Sequence, residues 1–328
     1  MSSSNGGRDD GGATSWTTST KRYDACEELE YARNSRGMSL FACRWLPGKK
    51  RNKDARPPKA LVFLCHGYAV ECGVTMRGTG ERLARAGYAV YGLDYEGHGR
   101  SDGLQGYVPD FEALVQDCDD HFASVVRSHG TTVRHRFLLG ESMGGAVALL
   151  LHRARPDFWT GAVLVAPMCK IADDMRPHPV VVVPTNDVID AAYRTQEKRD
   201  EIRGNPYCYK DKPRLKTAFE LLKVSLDVEA NILHQVSLPF LIVHGGADKV
   251  TDPSVSELLY RPTLKLYPGM WHALTSGESP NNIWTVFQDI IAWLDHRSSH
   301  TTTSMEELPE VEQKARHDDQ HQQQHGNK

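Results

Sequence analysis

Chemistry in this chain can start at a serine framed by glycines: Gly140-Glu141-Ser142-Met143-Gly144, with the apolar run at residues 137–139 ahead of it and Gly145-Ala146-Val147-Ala148-Leu149-Leu150-Leu151 behind. The first run reads as a strand and the second as a helix, so the serine falls on a tight strand-to-helix turn. The residues two places before and after it must lack a Cβ if strand and helix are to close on each other. Gly140 and Gly144 meet that need and lift the Ser142 hydroxyl into a cleft. A hydroxyl at a helix N-terminus also has backbone amides at hand for developing negative charge. These residue types suit attack by a serine oxygen on a carbonyl, with Ser142 as the nucleophile. A small-residue turn without chemistry is the plainer reading, and the immediate strand and helix weigh against it.

A nucleophilic serine needs a base and an acid that orients the base, and behind this kind of turn they follow in the order serine, acid, histidine. The apolar run at 240–243 leads through His244 into Gly245-Gly246-Ala247-Asp248-Lys249-Val250-Thr251-Asp252. Asp248 comes directly off the strand, at the edge where open α/β sheets carry their sites, and is the expected acid. Asp252 precedes Pro253 and suits the cap of a helix from Ser254, which leaves it second choice. Residues 263–267 read as the last strand, and Pro268-Gly269-Met270-Trp271-His272 follows as a loop ending in the expected base, His272. His234 and His244 precede the acid, and His296 and His300 come after the final helix or in the tail. An oxyanion hole needs two amides. Met143, next to the nucleophile, supplies one, and Tyr68 in His66-Gly67-Tyr68-Ala69 supplies the other. The glycines of the loop at 95–103 read as turn formers and its His98 as a packed loop residue. The mechanism calls for no metal and no cofactor.

Positioning these groups takes a layered frame. Nearly continuous apolar runs at 61–65, 89–93, 137–139, 161–165 and 240–243 read as parallel strands buried on both faces, and 111–128, 144–153 and 282–294 as helices covering them. Residues 31–46 suggest a hairpin turning at 34–37, an antiparallel edge. The expected fold class is α/β, a mostly parallel central sheet with helices on both faces. Residues 168–237, rich in charge and proline, interrupt the alternation as a cap insertion between core segments 23–167 and 238–297. Residues 1–22 and 298–328 are polar and read as disordered tails.

The 328 residues carry a net charge of −3 with 25% charged residues, which offers no single-sign field for a nucleic acid. Seven cysteines lack a paired framework and suit reduced thiols in a cytoplasmic compartment. No apolar run is long enough to cross a bilayer, so a membrane contact would be peripheral.

The stretches NSRGMSLFACRWLP, PKALVFLCHGYAVEC, AGYAVYGLDYEGHGRSDG, FLLGESMGGAVALLLHR, GAVLVAPMCKI, DKPRLKTAFELLK and LKLYPGMWHALTSGE resemble the monoacylglycerol lipase group of α/β hydrolases, above all its plant members, which include caffeoylshikimate esterases. The resemblance spans most of residues 23–295. It implies an α/β-hydrolase fold, a triad of Ser142, Asp248 and His272, oxyanion amides at Tyr68 and Met143, and a cap over an acyl pocket that offers a peripheral membrane contact. The substrate it implies is a small ester, either a monoacylglycerol or a phenolic ester such as caffeoylshikimate. Two departures stand out. The family's cap continues through an amphipathic stretch after a PHPVVV-like segment, whereas here His178-Pro179-Val180-Val181-Val182-Val183-Pro184 runs directly into Thr185-Asn186-Asp187-Val188, which shortens the cap. The connection from Leu259-Tyr260 to Thr263 is also short. Acyl transfer to an alcohol, or a receptor that keeps the pocket without turnover, are the alternative functions.

Overall fold

The computed structural model describes residues 26–48, 57–169, 188–232, 235–254 and 263–299. Strands β1 (Cys26–Arg33) and β2 (Ser39–Leu46) form the expected hairpin, closed by Asn34, whose side-chain oxygen accepts from the amides of Arg36 at 3.1 Å and Met38 at 2.9 Å. Then follow β3 (Leu61–Cys65), α1 (Arg77–Arg85), β4 (Ala89–Leu93), α2 (Phe111–His129), β5 (Arg136–Glu141), α3 (Met143–Ala154) and β6 (Gly161–Val165). Helices α4 (Val188–Ala192), α5 (Gln196–Gly204) and α6 (Leu215–Asp227) come before β7 (Phe240–Gly245), β8 (Thr263–Tyr267) and α7 (Pro280–Ser299).

The sheet order is β1-β2-β4-β3-β5-β6-β7-β8. β2 runs antiparallel to β1 and β4, and the pairs from β3–β4 through to β7–β8 are parallel. The period of two divides each central strand between two cores. Leu61, Phe63, Leu138, Phe240 and Ile242 face α2, α3 and α6, while Val62, Leu64, Phe137, Leu139, Leu241 and Val243 face α1 and α7. Strands buried on both faces have no polar side to show, which is why their sequences lack alternation.

The structure adds one helix to the sequence reading and corrects the end of another. Helix α1 is absent from the sequence reading, because its two glycines mask a helical pattern, yet Gly80 is required there: a Cβ would overlap the Trp45 ring. The last helix extends past the expected end at residue 294, so Ser298 and Ser299, assigned to the tail, belong to it. Their hydroxyls donate back to the carbonyls of Leu294 and Asp295 at 2.7 and 2.8 Å. The two departures from the family pattern, at 178–187 and 259–262, lie outside the described residues apart from their flanks at Val188 and Thr263, as do residues 1–22 and 300–328 of the expected tails. No helix among the described residues is long and apolar enough to cross a membrane.

Candidate active site

Ser142 joins β5 to α3 with φ 55° and ψ −119°, a left-handed conformation that a residue with a Cβ adopts only under constraint. The constraint is visible on both sides. The Ser142 amide donates to Val165 O at 3.0 Å, and the Ser142 carbonyl accepts from Gly145 and Met168 at 2.9 Å each. Any Cβ at Gly140 would overlap the carbonyl of Gly144, and one at Gly144 would overlap the carbonyl of Cys65, so strand and helix touch backbone to backbone. The Ser142 side chain makes no capping hydrogen bond to α3.

Asp248 and His272 meet although they leave different strands. The loop after β8 is tied to the loop after β7 by Gly246 N to Tyr267 O at 2.8 Å and Ala247 N to Met270 O at 2.9 Å. Across this seam His272 Nδ1 donates to Asp248 Oδ2 at 2.8 Å. The Asp248 side chain is fully buried, yet it collects more than one donor. Oδ2 also accepts from His244 Nε2 at 3.0 Å and Thr251 Oγ1 at 2.9 Å, while Oδ1 accepts from the amides of Val250 at 2.7 Å and Thr251 at 3.2 Å. Burial alone would raise this carboxyl. The charge of His272 and hydrogen bonds from both histidines outweigh burial and hold it well below the usual carboxylate range. Asp252, the second-choice acid, accepts instead from the amide and hydroxyl of Ser254 at 3.0 and 2.7 Å, as a capping residue would.

The loop at 66–69 lies alongside Ser142, where a Cβ at Gly67 would sit 3.5 Å from the Ser142 Cβ. Tyr68 turns its phenol to donate to Gly106 O at 2.9 Å. Met143 opens α3, in the first turn whose amides have no partner within the helix. His66 braces this loop rather than reacting: its Nδ1 donates to Gly67 O at 2.7 Å, its Nε2 accepts from Tyr95 N at 3.2 Å, and its ring stacks on Tyr95 at 3.8 Å. Burial, joined by the nearby His98, holds His66 neutral, well below the ordinary histidine value.

His98 has the packed role expected of it, with Nδ1 donating to Glu96 O at 3.1 Å and Nε2 buried with no hydrogen-bond partner. Burial lowers it to about 4, against a weaker opposing bond to Glu96. In the unfolded chain the same ring titrates near 6.5, so between these values the unfolded state binds more protons and stability falls as pH falls through that window. Relative to pH 7.5, His98→Gln is therefore expected to lose about 2 kcal/mol less stability at pH 5 than the parent, read from denaturant midpoints. Equal losses in the two proteins would show that His98 does not drive the acid sensitivity.

Sequence reasoning missed His244 and Thr251 on Asp248. It also missed Glu141, whose Oε1 accepts from Thr275 Oγ1 at 2.7 Å and so links the turn at Ser142 to the loop that carries His272. Burial raises the Glu141 carboxyl above its ordinary value, and the bonds to Thr275 and Thr79 and the charge of His272 oppose the rise. No group of three or more His, Cys, Asp or Glu among the described residues converges as metal ligands would.

Comparison with known proteins places the chain in a family. The Hydrolase_4 family (serine aminopeptidase, S33) matches residues 56–279. The chain is 34% identical over 261 residues to caffeoylshikimate esterase of Arabidopsis thaliana, covering 73% of this chain and 78% of that one. It is 30% identical over 301 residues to the monoglyceride lipase of Homo sapiens, covering 85% and 94%. Among solved structures, a soluble variant of the Saccharomyces cerevisiae monoglyceride lipase superposes with a TM-score of 0.72 at 21% identity, covering 84% of this chain and 96% of that one. With a Ser142 turn of this shape on a sheet of this order, the chain belongs to the Hydrolase_4 family of α/β hydrolases.

Proposed function

We propose that this protein is a serine carboxylic ester hydrolase that cleaves monoacylglycerols and similar single-chain lipid esters through an acyl-enzyme. The observation that carries the reading is the 2.8 Å bond from His272 Nδ1 to the buried Asp248, which fixes the ring so that Nε2 is the nitrogen left to serve Ser142. His272 takes the Ser142 proton as the oxygen attacks the carbonyl, and the amides of Tyr68 and Met143 receive the oxyanion. The same proton passes to the departing alcohol, and His272 then activates water to release the acid and restore the serine. Asp248 holds the imidazole tautomer and stabilises its cation.

Residues 168–237 act in this reading as a cap over the acyl chain, between the two core segments. Helix α6 leaves Leu215, Phe219 and Leu226 at 63%, 56% and 47% exposure, which supports a peripheral contact of this region with membrane or micelle. Buried thiols at Cys65, Cys118 and Cys169 suit a reducing, cytoplasmic setting. A phenolic ester is the second reading. It is supported by the caffeoylshikimate esterase relative and by the Tyr68 ring, which sits edge-on to Tyr209 at 6.5 Å beside the oxyanion loop.

A fluorophosphonate probe is expected to label the full chain on the tryptic peptide that carries Ser142, and 2-oleoylglycerol to be hydrolysed in the same preparation. Faster turnover of caffeoylshikimate than of 2-oleoylglycerol would exchange the two substrate readings. A folded protein that neither labels nor hydrolyses either ester would leave a binding protein.

A further inference from the structure

The loop at 95–103 and the buried Glu71 take no part in the steps above, yet both hold the turn that follows α5. Glu71 is 2% exposed. Its Oε2 accepts from Val74 N at 2.8 Å, and its Oε1 accepts from Thr75 N and from Asn205 Nδ2 at 3.1 Å each. Asn205, 6% exposed at the C-terminal end of α5, also accepts from Tyr207 N through Oδ1 at 3.0 Å. The next residues are gripped in turn. Gln105 Nε2 donates to Pro206 O at 3.2 Å, and the Arg100 guanidinium lies between the rings of Phe41 and Tyr207 at 4.7 and 4.6 Å. Tyr209 N donates to Ala69 O at 2.9 Å.

That last acceptor is Ala69, next to Tyr68, and it stands at φ 65° without being glycine. A residue with a Cβ stays in the left-handed region only where its surroundings over-determine it. The Ala69 carbonyl is held by Tyr209 N of the turn at 205–209, and His66 holds the Gly67 carbonyl two residues before it. An oxyanion hole accelerates a reaction only if its amides already point at the oxygen before charge develops. The Tyr68 N–H lies in the peptide whose carbonyl, Gly67 O, is held by His66, and the Ala69 carbonyl held by Tyr209 belongs to the second peptide after it, so the orientation of that N–H depends on what fixes this short loop at both ends.

Resting on the ester-hydrolase reading, we propose that the turn at 205–209 is a clamp that sets the oxyanion loop, with Asn205 and Arg100 as positioning residues acting through Glu71, Tyr207 and Tyr209 on Ala69. The region between β6 and β7 then does more than shape the acyl chain's path. Its stem on the core governs the rate on esters too small to reach the rest of it.

The test compares the full-length parent, Asn205→Ala and Arg100→Met on p-nitrophenyl acetate and 2-oleoylglycerol, with rates normalised to sites titrated by a fluorophosphonate. Asn205→Ala is expected to lower kcat on the short ester about ten- to hundredfold with KM little changed, the scale of a displacement of order 1 Å. Phenylboronic acid, which forms a tetrahedral adduct on the serine, should lose affinity by the same factor as kcat/KM falls. Arg100→Met removes no buried hydrogen bond and should move the same quantities in the same direction by less, so the proposal stays testable if Asn205→Ala folds poorly. Unchanged kcat per titrated site on the short ester, with any loss confined to KM for 2-oleoylglycerol, would overturn the clamp. A parent that shows no serine-dependent turnover would instead overturn the reading beneath it.

Discussion

Asp248→Asn is expected to lower kcat for ester hydrolysis by about 10⁴ with KM little changed, the scale on which a triad loses its histidine tautomer. Every position an amide could take here faces a donor. Turned toward Oδ1, its NH2 would oppose the amides of Val250 and Thr251, which cannot retract. Turned toward Oδ2, it meets His244, Thr251 and His272, of which the imidazoles can shift a proton. The second placement is the less costly, and it makes His272 Nδ1 an acceptor and moves its proton to Nε2. A protonated Nε2 cannot take the proton of Ser142, so the base is lost while the loop stays in place. Ser142→Ala, which removes the nucleophile outright, sets the floor at about 10⁶. A loss under about tenfold in Asp248→Asn, in a protein whose circular dichroism and melting match the parent, would show that another group orients His272, because an unaltered triad cannot absorb a wrong tautomer so cheaply.

The proposed order of serine, acid and histidine was legible because each member sits on a local signal. Ser142 lies in a glycine frame between a strand and a helix, Asp248 follows the apolar run of β7, and His272 ends the loop after β8. What stayed hidden is held by distance in the chain. His244 reads as one end of a strand, and Thr251 as an ordinary loop threonine. Only the fold turns both onto Asp248 Oδ2 and puts Thr251 Oγ1 within 3.2 Å of Ala166 O, a residue from another strand's end. Glu141 is similar, a polar residue inside the glycine frame whose partner Thr275 lies 134 positions away. Helix α1 escaped for the opposite reason. Local propensity speaks against Arg77–Arg85, and packing of Gly80 under Trp45 overrides it. Periodicity and turn chemistry thus carry elements and chain order, while the partners of buried polar atoms belong to tertiary contacts that no window of sequence contains.

Gly144→Ala sets two physical effects against each other at the nucleophile turn. Helix propensity favours the substitution by about 1 kcal/mol, since Gly144 lies in the first turn of α3. The added Cβ, however, would overlap the Cys65 carbonyl and stand 2.8 Å from that of His66. Neither carbonyl can yield like a side chain: Cys65 is paired with Gly140 of β5, and the His66 carbonyl accepts from the Tyr95 hydroxyl at 3.2 Å. Helix α3 must therefore move away from the sheet, and with it Met143 and the strained backbone of Ser142. The expected net result is a loss of about 3 kcal/mol or more, an overpacking cost that exceeds the propensity gain. In a domain of this size that amounts to a fall of about 10 °C in melting temperature. The folded remainder should hydrolyse esters about a hundredfold more slowly if the helix retreats by about 1 Å. Gly204 supplies the control: it ends α5, and an added Cβ there would meet nothing within 4 Å, so Gly204→Ala is expected to leave stability equal or slightly higher. If the two variants melt together, helix propensity governs both sites, and the backbone contact between the nucleophile turn and β3 does not set the position of Ser142.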